Sequence, residues 1–167
     1  GEMYAHGEGV RQNDVEAMRF FRLAASQEHV DALYYLGVMY EQGKGVEQND
    51  TEALRLFRLA SKKGHALAHF NVGVMYQYGR GGLKIDIQEA VRLFKLAAEQ
   101  GVKEAQYIVG IRCAIGDGVV QNIAEAVRLL KLAAEQRHAQ AQYKLAGMYE
   151  RGIAGLDIDL DEAARLY

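Results

Sequence analysis

Five glutamates, three histidines, one cysteine and a ladder of arginines are the residues of this sequence that could do chemistry. Glu16, Glu52, Glu89, Glu125 and Glu162 carry the carboxylates that general acid–base catalysis uses. Such work needs one convergent constellation. These acids instead recur at steps of 36, 37, 36 and 37 residues, each three residues after an Asn or Asp. A group present in every copy of a repeat serves the repeat. His29, His65 and His138 also share one repeat position, held by Val102 in the remaining copy. His65 and His69, at i and i+4, could face one metal ion, but no third ligand stands close in sequence. Cys113 is the only cysteine, which excludes an internal disulfide. With no paired base in view it reads as a small buried apolar group. Neither Gly7-Glu8-Gly9 nor Gly43-Lys44-Gly45 follows a strand or leads into Gly-Lys-Ser/Thr, so these glycines read as helix caps and not as a phosphate loop. The expectation is a protein that is not an enzyme, with no catalytic residue, no metal and no cofactor.

Arg19, Arg55, Arg92, Arg128 and Arg165 form the ladder, joined by Arg22, Arg58, Lys95 and Lys131. Such a row could track an anionic polymer. Each arginine of the first set follows its glutamate by three residues, however, and paired acids weaken the field a polymer needs. The ladder therefore reads as a solvated outer face. A net charge of −2 agrees, and no nucleic acid is expected as partner. Half the residues are apolar and a quarter charged, with no Pro and no Trp, an ordinary balance for a mostly helical chain. No apolar run approaches the ~20 residues of a membrane span, and no signal peptide is visible in this stretch. Membrane insertion is not expected, and the compartment is left open.

Two phrases, repeated, set the elements that position these residues. Leu36-Gly37-Val38-Met39-Tyr40 returns as Val72-Gly73-Val74-Met75-Tyr76, as Val109-Gly110-Ile111-Arg112-Cys113 and as Leu145-Ala146-Gly147-Met148-Tyr149, with Met3-Tyr4 the tail of an earlier copy. The final, marker position steps through 4, 40, 76, 113 and 149, a period of 36–37 residues. From each Glu-Ala to the next marker is always 24 residues, so the one-residue insertions fall in the other segment, at Gly81-Gly82 and around Ile153-Ala154, which must hold a loop.

Each unit reads as two helices. Helix A carries Ala32, Leu36, Met39 and Tyr40 on one stripe and stops at Gly7, Gly43, Gly79, Gly116 or Gly152. Helix B opens on Asn13, Asn49, Asp86, Asn122 or Asp159 as N-cap, with the Glu three residues on, and buries Ala17, Phe20, Phe21, Ala24 and their equivalents. One such pair cannot bury both apolar faces, whereas stacked pairs can. The fold class expected is all-α: a right-handed α-solenoid of antiparallel helix pairs, with residues 1–167 as a single domain of about three full repeats and a partial one at each end. The ends read as cut from a longer array, with apolar, uncapped faces open to end-to-end contacts. Arg112 and Cys113 replace Met and Tyr in the fourth copy, where a looser helix A is expected, with Arg112 snorkelling outward.

Leu-Gly-x-Met-Tyr, Gly-x-Gly-Val, Asp-x-x-Glu-Ala and Ala-Ala-x-x-Gly together resemble the Sel-one-like repeat (SLR) family, a relative of the tetratricopeptide repeat, over essentially the whole chain. The resemblance implies a scaffold or adaptor for protein complexes. It departs from the secreted members that carry a disulfide in each repeat. By analogy with the tetratricopeptide architecture, helix A lines the concave surface. That places Tyr35, Val38, Val74, Tyr78, Ile108, Ile111 and Ile115 as the apolar middle of a groove for a protein or peptide, with Glu41, Glu104 and Glu150 at its rim. Two readings stand: the groove holds a partner, or these side chains merely fill the inside of an architectural segment. Tyr34, Phe70, Tyr107 and Tyr143 recur as aromatics and are partly structural in either case.

Overall fold

The computed structural model describes the chain apart from residues 8 and 10 and the side chain of residue 6. Glu8, the centre of the first Gly-x-Gly, and Val10 lie outside the described residues. Every regular element among the described residues is an α-helix, in the paired order the repeat predicts. The chain divides into two compact units, Gly1–Asp86 and Ile87–Tyr167. The first holds α1 (Glu2–His6), α2 (Asp14–Ala25), α3 (Val30–Gln42), α4 (Asp50–Lys62) and α5 (Ala66–Tyr78). The second holds α6 (Ile87–Glu99), α7 (Lys103–Ile115), α8 (Ile123–Glu135), α9 (Ala139–Arg151) and α10 (Leu160–Leu166). Odd-numbered helices are helix A, even-numbered ones helix B. Within each unit every helix packs on its neighbours in sequence.

Polar residues fix the helix ends as the spacing predicts. Asn13, Asn49, Asn122 and Asp159 accept hydrogen bonds from the backbone N–H three residues on, at 3.2, 3.0, 3.0 and 2.8 Å. Gly7, Gly43, Gly79, Gly116 and Gly152 all cap helix A in the left-handed conformation. The capping box is not closed in the expected way, because the N-cap backbone N–H is already taken. Asn13, Asn49, Asp86, Asn122 and Asp159 donate it to the carbonyls of Tyr4, Tyr40, Tyr76, Cys113 and Tyr149, at 2.8–3.0 Å. Each marker residue thus ties the end of helix A to the start of helix B through its backbone.

The repeated glutamate is thereby released to its arginine. Glu16–Arg19, Glu52–Arg55, Glu89–Arg92, Glu125–Arg128 and Glu162–Arg165 pair at 3.4, 2.7, 2.6, 2.7 and 2.6 Å, with every arginine side chain more than half exposed. The ladder is the solvated face its spacing implied.

In Gly1–Asp86 the core joins Ala17, Met18 and Phe21 of α2 to Leu33, Leu36 and Met39 of α3 and Leu56 of α4. Phe57 is fully buried, and truncating such a side chain costs roughly 3–5 kcal/mol. Gly37 explains the glycine of the marker phrase: a Cβ there would sit 2.7 Å from the Phe57 ring, so only glycine lets α3 close on α4. Phe20, expected in the core, is 40% exposed. It stacks on Tyr4 of α1 at 5.6 Å. In Ile87–Tyr167 a second core joins Leu130, Ala133 and Ala134 of α8 to Ala141, Leu145 and Ala146 of α9 and Leu166 of α10.

The inserted residues fall in the A-to-B loops as expected. Gly81 and Gly82 have positive φ, and so do Ala154 and Gly155. Gly81 does more than turn: a Cβ on it would meet the Asp50 carbonyl at 2.8 Å, so the loop rests directly on the first turn of α4. Arg112 departs from expectation. Its side chain is only 12% exposed, and the head turns to the carboxylate of Asp117 in the following loop instead of reaching out to water. The acid compensates a charge at the C-terminus of a helix, and α7 keeps the same 13 residues as α3, α5 and α9.

Candidate functional site

Helix A presents the residues that vary from copy to copy, and the ends of those helices show what holds them. In Gly1–Asp86, the Tyr34 ring stacks on His65 at 4.5 Å in the N-terminal parts of α3 and α5, and Arg80, just past the end of α5, pairs with Glu41 in the last turn of α3 at 2.9 Å. In Ile87–Tyr167, Tyr107 stacks on His138 at 4.7 Å and joins α7 to α9 in the same way. The recurring aromatic and the recurring histidine are therefore one device, an aromatic pair between successive A helices.

The histidine has a second task. His29, His65 and His138 are the N-caps of α3, α5 and α9, where Nδ1 accepts from the N–H of Ala32, Ala68 and Ala141 at 3.4, 3.1 and 3.2 Å. Val102 leaves α7 without a side-chain cap. The Nε2 atom of His65 lies 3.5 Å from Asp31, so the neutral tautomer with its proton on Nε2 serves both partners. Burial pushes the His65 imidazole below its usual range, with the charge of Asp31 opposing. His69, its neighbour one turn on, is buried and shares a 2.8 Å hydrogen bond with Ser61. The two imidazoles are committed to different partners, and among the described residues no group of three or more His, Cys, Asp or Glu is placed to hold a metal ion.

Three of the repeated acids are held ionised. Hydrogen bonds from Arg55, Arg128 and Arg165 bring the carboxyls of Glu52, Glu125 and Glu162 below the usual carboxylate range. Cys113 is buried, and that burial pushes its thiol up, away from an activated thiolate.

The seven residues expected to line a groove fall into three situations. Tyr78 and Ile115, the last residues of α5 and α7, are 64% and 67% exposed. Val38, Val74 and Ile108 are half-buried. Tyr35 and Ile111 are half-buried and packed against their unit's core, with Tyr35 stacked on Phe21 at 5.2 Å. The rim acids differ as well. Glu41 is engaged by Arg80, Glu104 is half-buried, and Glu150 is exposed and accepts from the Tyr167 hydroxyl at 3.1 Å. Sequence reasoning missed Arg80 altogether, because it occurs in one loop only and carries no repeat signal.

A family model for the Sel1 repeat matches residues 1–29, 30–65, 66–102, 103–138 and 139–167. The chain belongs to the Sel1 repeat family. Sel1 repeats are generally protein–protein interaction scaffolds and are not typically enzymatic. The crystal structure of a Sel1 repeat protein from Oxalobacter formigenes is 32% identical, with a TM-score of 0.89 over 99% of this chain and 67% of that one. A protective antigen of uropathogenic Escherichia coli with an SLR fold, c5321, is 31% identical, with a TM-score of 0.81 over 99% of this chain. This chain spans 35% of that antigen's length. Immunity protein Pa5087 from Pseudomonas aeruginosa, 21% identical with a TM-score of 0.58 over 90% of this chain and 55% of that one, shares the fold. No curated protein matches the chain. The Sel1 repeat accounts for the helix-pair architecture and for the recurring phrases, but not for the residues of helix A that vary from copy to copy.

Proposed function

We propose that this chain is a protein-binding scaffold and that the varying stripe of helix A is where a peptide or protein segment docks. The observation that carries the reading is the last residue of that helix. It is Gln42, Tyr78, Ile115 and Arg151 in successive copies, and the two large apolar side chains are 64% and 67% exposed. The helix does not need them there, since the glycine that follows supplies the cap. Exposed apolar groups beside half-buried ones are characteristic of interaction surfaces. In Gly1–Asp86 the anchor is Tyr78, with Tyr35, Val38 and Val74 on the same pair of A helices. In Ile87–Tyr167 it is Ile115, with Ile108 and Ile111. Glu104 and Glu150 favour a basic segment, chiefly through encounter rate. Glu41 contributes less, because Arg80 already meets its charge.

The test is photo-crosslinking in the full-length protein inside its own cell. A benzophenone amino acid is placed at position 78 or 115, with positions 55 and 92 on the outer ladder as controls. The same polypeptide should be captured from 78 and 115 and not from the ladder. Its binding should weaken in Tyr78→Ala by ~2 kcal/mol, the scale of an interface hot spot, and in Ile115→Asp as well. Ile111→Asp is the poorer probe, because Ile111 packs on the core and the change would test folding. Capture only from the ladder, or unchanged binding to both folded variants, would refute the helix A surface.

A further inference from the structure

The marker tyrosine has a partner that the repeat supplies eighteen residues earlier. Arg22 donates to the Tyr40 hydroxyl at 3.0 Å, and Arg58 donates to that of Tyr76 at 2.7 Å. Both guanidinium carbons also lie over the ring, 6.0 and 5.5 Å from its centroid. The Lys131 ammonium lies 5.5 Å from the centre of the Tyr149 ring. In each case a cation on helix B meets a phenol on the next helix A. The fourth copy keeps the cation, Lys95, and loses the phenol to Cys113.

The frame around the missing phenol is intact. The Cys113 carbonyl still accepts from the N-cap N–H of Asn122 at 2.8 Å, as the tyrosines do in their copies. Beside Cys113 a groove of about 370 Å³ opens, lined by Lys95, Val109, Cys113, Val119, Glu125 and Leu129 among others; the corresponding groove one repeat on, with Tyr149 in its wall, is of similar size, about 410 Å³. Val109, Cys113 and Leu129 are buried and make an apolar floor, while Val120, 89% exposed, stands at the edge. The neighbouring arginine, Arg128, is taken by Glu125 at 2.7 Å, which leaves Lys95 as the cation in the position that faces the phenol elsewhere.

We infer that this groove is a binding site for a p-hydroxyphenyl group brought by another molecule, its ring against Val109, Cys113 and Leu129 and its oxygen accepting a hydrogen bond from the Lys95 ammonium. The group takes the place the chain's own tyrosine holds in the other copies. The site lies between α6, α7 and α8, wholly within Ile87–Tyr167, and does not depend on the helix A surface. The equivalent groove one repeat on, at Lys131, Leu145 and Leu166, still contains Tyr149 and serves as an internal control.

The test is a backbone-amide NMR titration of the full chain with p-cresol, toluene and N-acetyl-tyrosine amide. With p-cresol, shifts should concentrate at Val109, Cys113 and Leu129 and spare Leu145 and Tyr149. Lys95→Met, a change at an exposed side chain, should weaken p-cresol by about tenfold, a hydrogen bond to a charged donor, and leave toluene unchanged. Cys113→Tyr should abolish both. Binding of N-acetyl-tyrosine amide at the same residues identifies a tyrosine of a partner chain as a ligand that fits. Binding of p-cresol alone identifies a free phenol. No localised shift with any of the three, or toluene binding as tightly as p-cresol in the unaltered chain, overturns the assignment.

Discussion

The guanidinium of Arg80 grips the carboxylate of Asp50 through two hydrogen bonds, 3.0 and 2.9 Å long. Asp50 opens α4, and Arg80 follows the glycine that ends α5, so the bond fastens the A-to-B loop of one repeat to helix B of the repeat before. A third bond, 2.9 Å to Glu41, adds the end of α3. Planar, forked recognition of this kind is not available to lysine. Arg80→Ala should cost about 1 kcal/mol of stability, at the upper end for partly exposed pairs because one arginine serves two acids. Arg80→Lys should lose most of the same amount. Urea unfolding of the three proteins decides it, and a lysine variant as stable as the parent would show that charge alone matters.

His65 makes stability depend on pH in a definite direction. Burial holds its imidazole below the ordinary value of about 6.5. The folded chain therefore binds fewer protons at this site than the unfolded chain does just below that value. The stabilisation is fully present above about pH 6.5 and is lost as pH falls through the lower folded value. The geometry agrees, since a protonated Nδ1 cannot accept from Ala68. Asp31, 3.5 Å away, limits the loss, and the Tyr34 ring is the other face of the pair. His65→Asn keeps a capping side chain that does not titrate. Between pH 7.5 and 5.5 the melting temperature of the parent should fall further than that of the variant. Equal falls would remove His65 as the cause.

What could be read in the sequence and what could not divides along the repeat. Asn49, Glu52, Ala53 and Gly43 recur, and each recurrence could be turned into a cap, an ion pair, a close contact or a turn before any coordinates. The same reasoning failed where a residue is unique or where covering depends on what lies next to it. Phe20 occupies a core position in the pattern but stands 40% exposed, between the Tyr4 ring and the Arg19 guanidinium. Arg112 was expected to reach water, because nothing in the spacing says that Asp117 lies beside it. The recurrence of Tyr34 and of His65 was visible, but their stacking brings together residues 31 positions apart, which a single-repeat period does not reveal. The candidate binding residues were legible only as the positions the repeat leaves free. How exposed each is, and that Glu41 is already engaged, follows from packing.

Two residues carry backbone strain that their repeat equivalents avoid. In the turn from helix B to the next helix A, Gly64 and Gly101 have φ of 86° and 88°, while Glu28 and Arg137 take φ of 59° and 60° at the same position. A left-handed conformation costs a residue with a Cβ roughly 1–2 kcal/mol, partly offset by the flexibility glycine adds to the unfolded chain. At Gly101 an added Cβ would meet nothing within 4 Å, so the penalty there is purely conformational. Arg137→Gly should stabilise the chain by about 0.5–1 kcal/mol and Gly101→Ala should destabilise it by a similar amount. Opposite shifts in the denaturation midpoint are expected, and a destabilised Arg137→Gly would mean that the arginine side chain contributes more than its backbone costs.

Arg112 and Asp117 allow the sharpest contrast between breaking a pair and replacing it. The arginine stands where other copies have a core methionine, with its side chain 12% exposed, while Asp117 is 55% exposed in the loop that follows. Asp117→Ala removes an acid that a mostly buried arginine side chain binds and should cost about 1.5–3 kcal/mol, the range for hydrogen bonds to charged groups. Arg112→Met restores the residue of the other copies and frees an acid that can simply face water. Exchanging a charged side chain held in a mostly buried place for an apolar one of similar volume is often neutral or stabilising, so this variant should melt at or above the parent temperature. The Arg112→Met/Asp117→Ala double variant should then be no less stable than Arg112→Met alone, since the aspartate has lost its function. Calorimetry on the four proteins tests all three statements. A double variant as unstable as Asp117→Ala would mean that Asp117 supports the loop itself and that the arginine is incidental to its role.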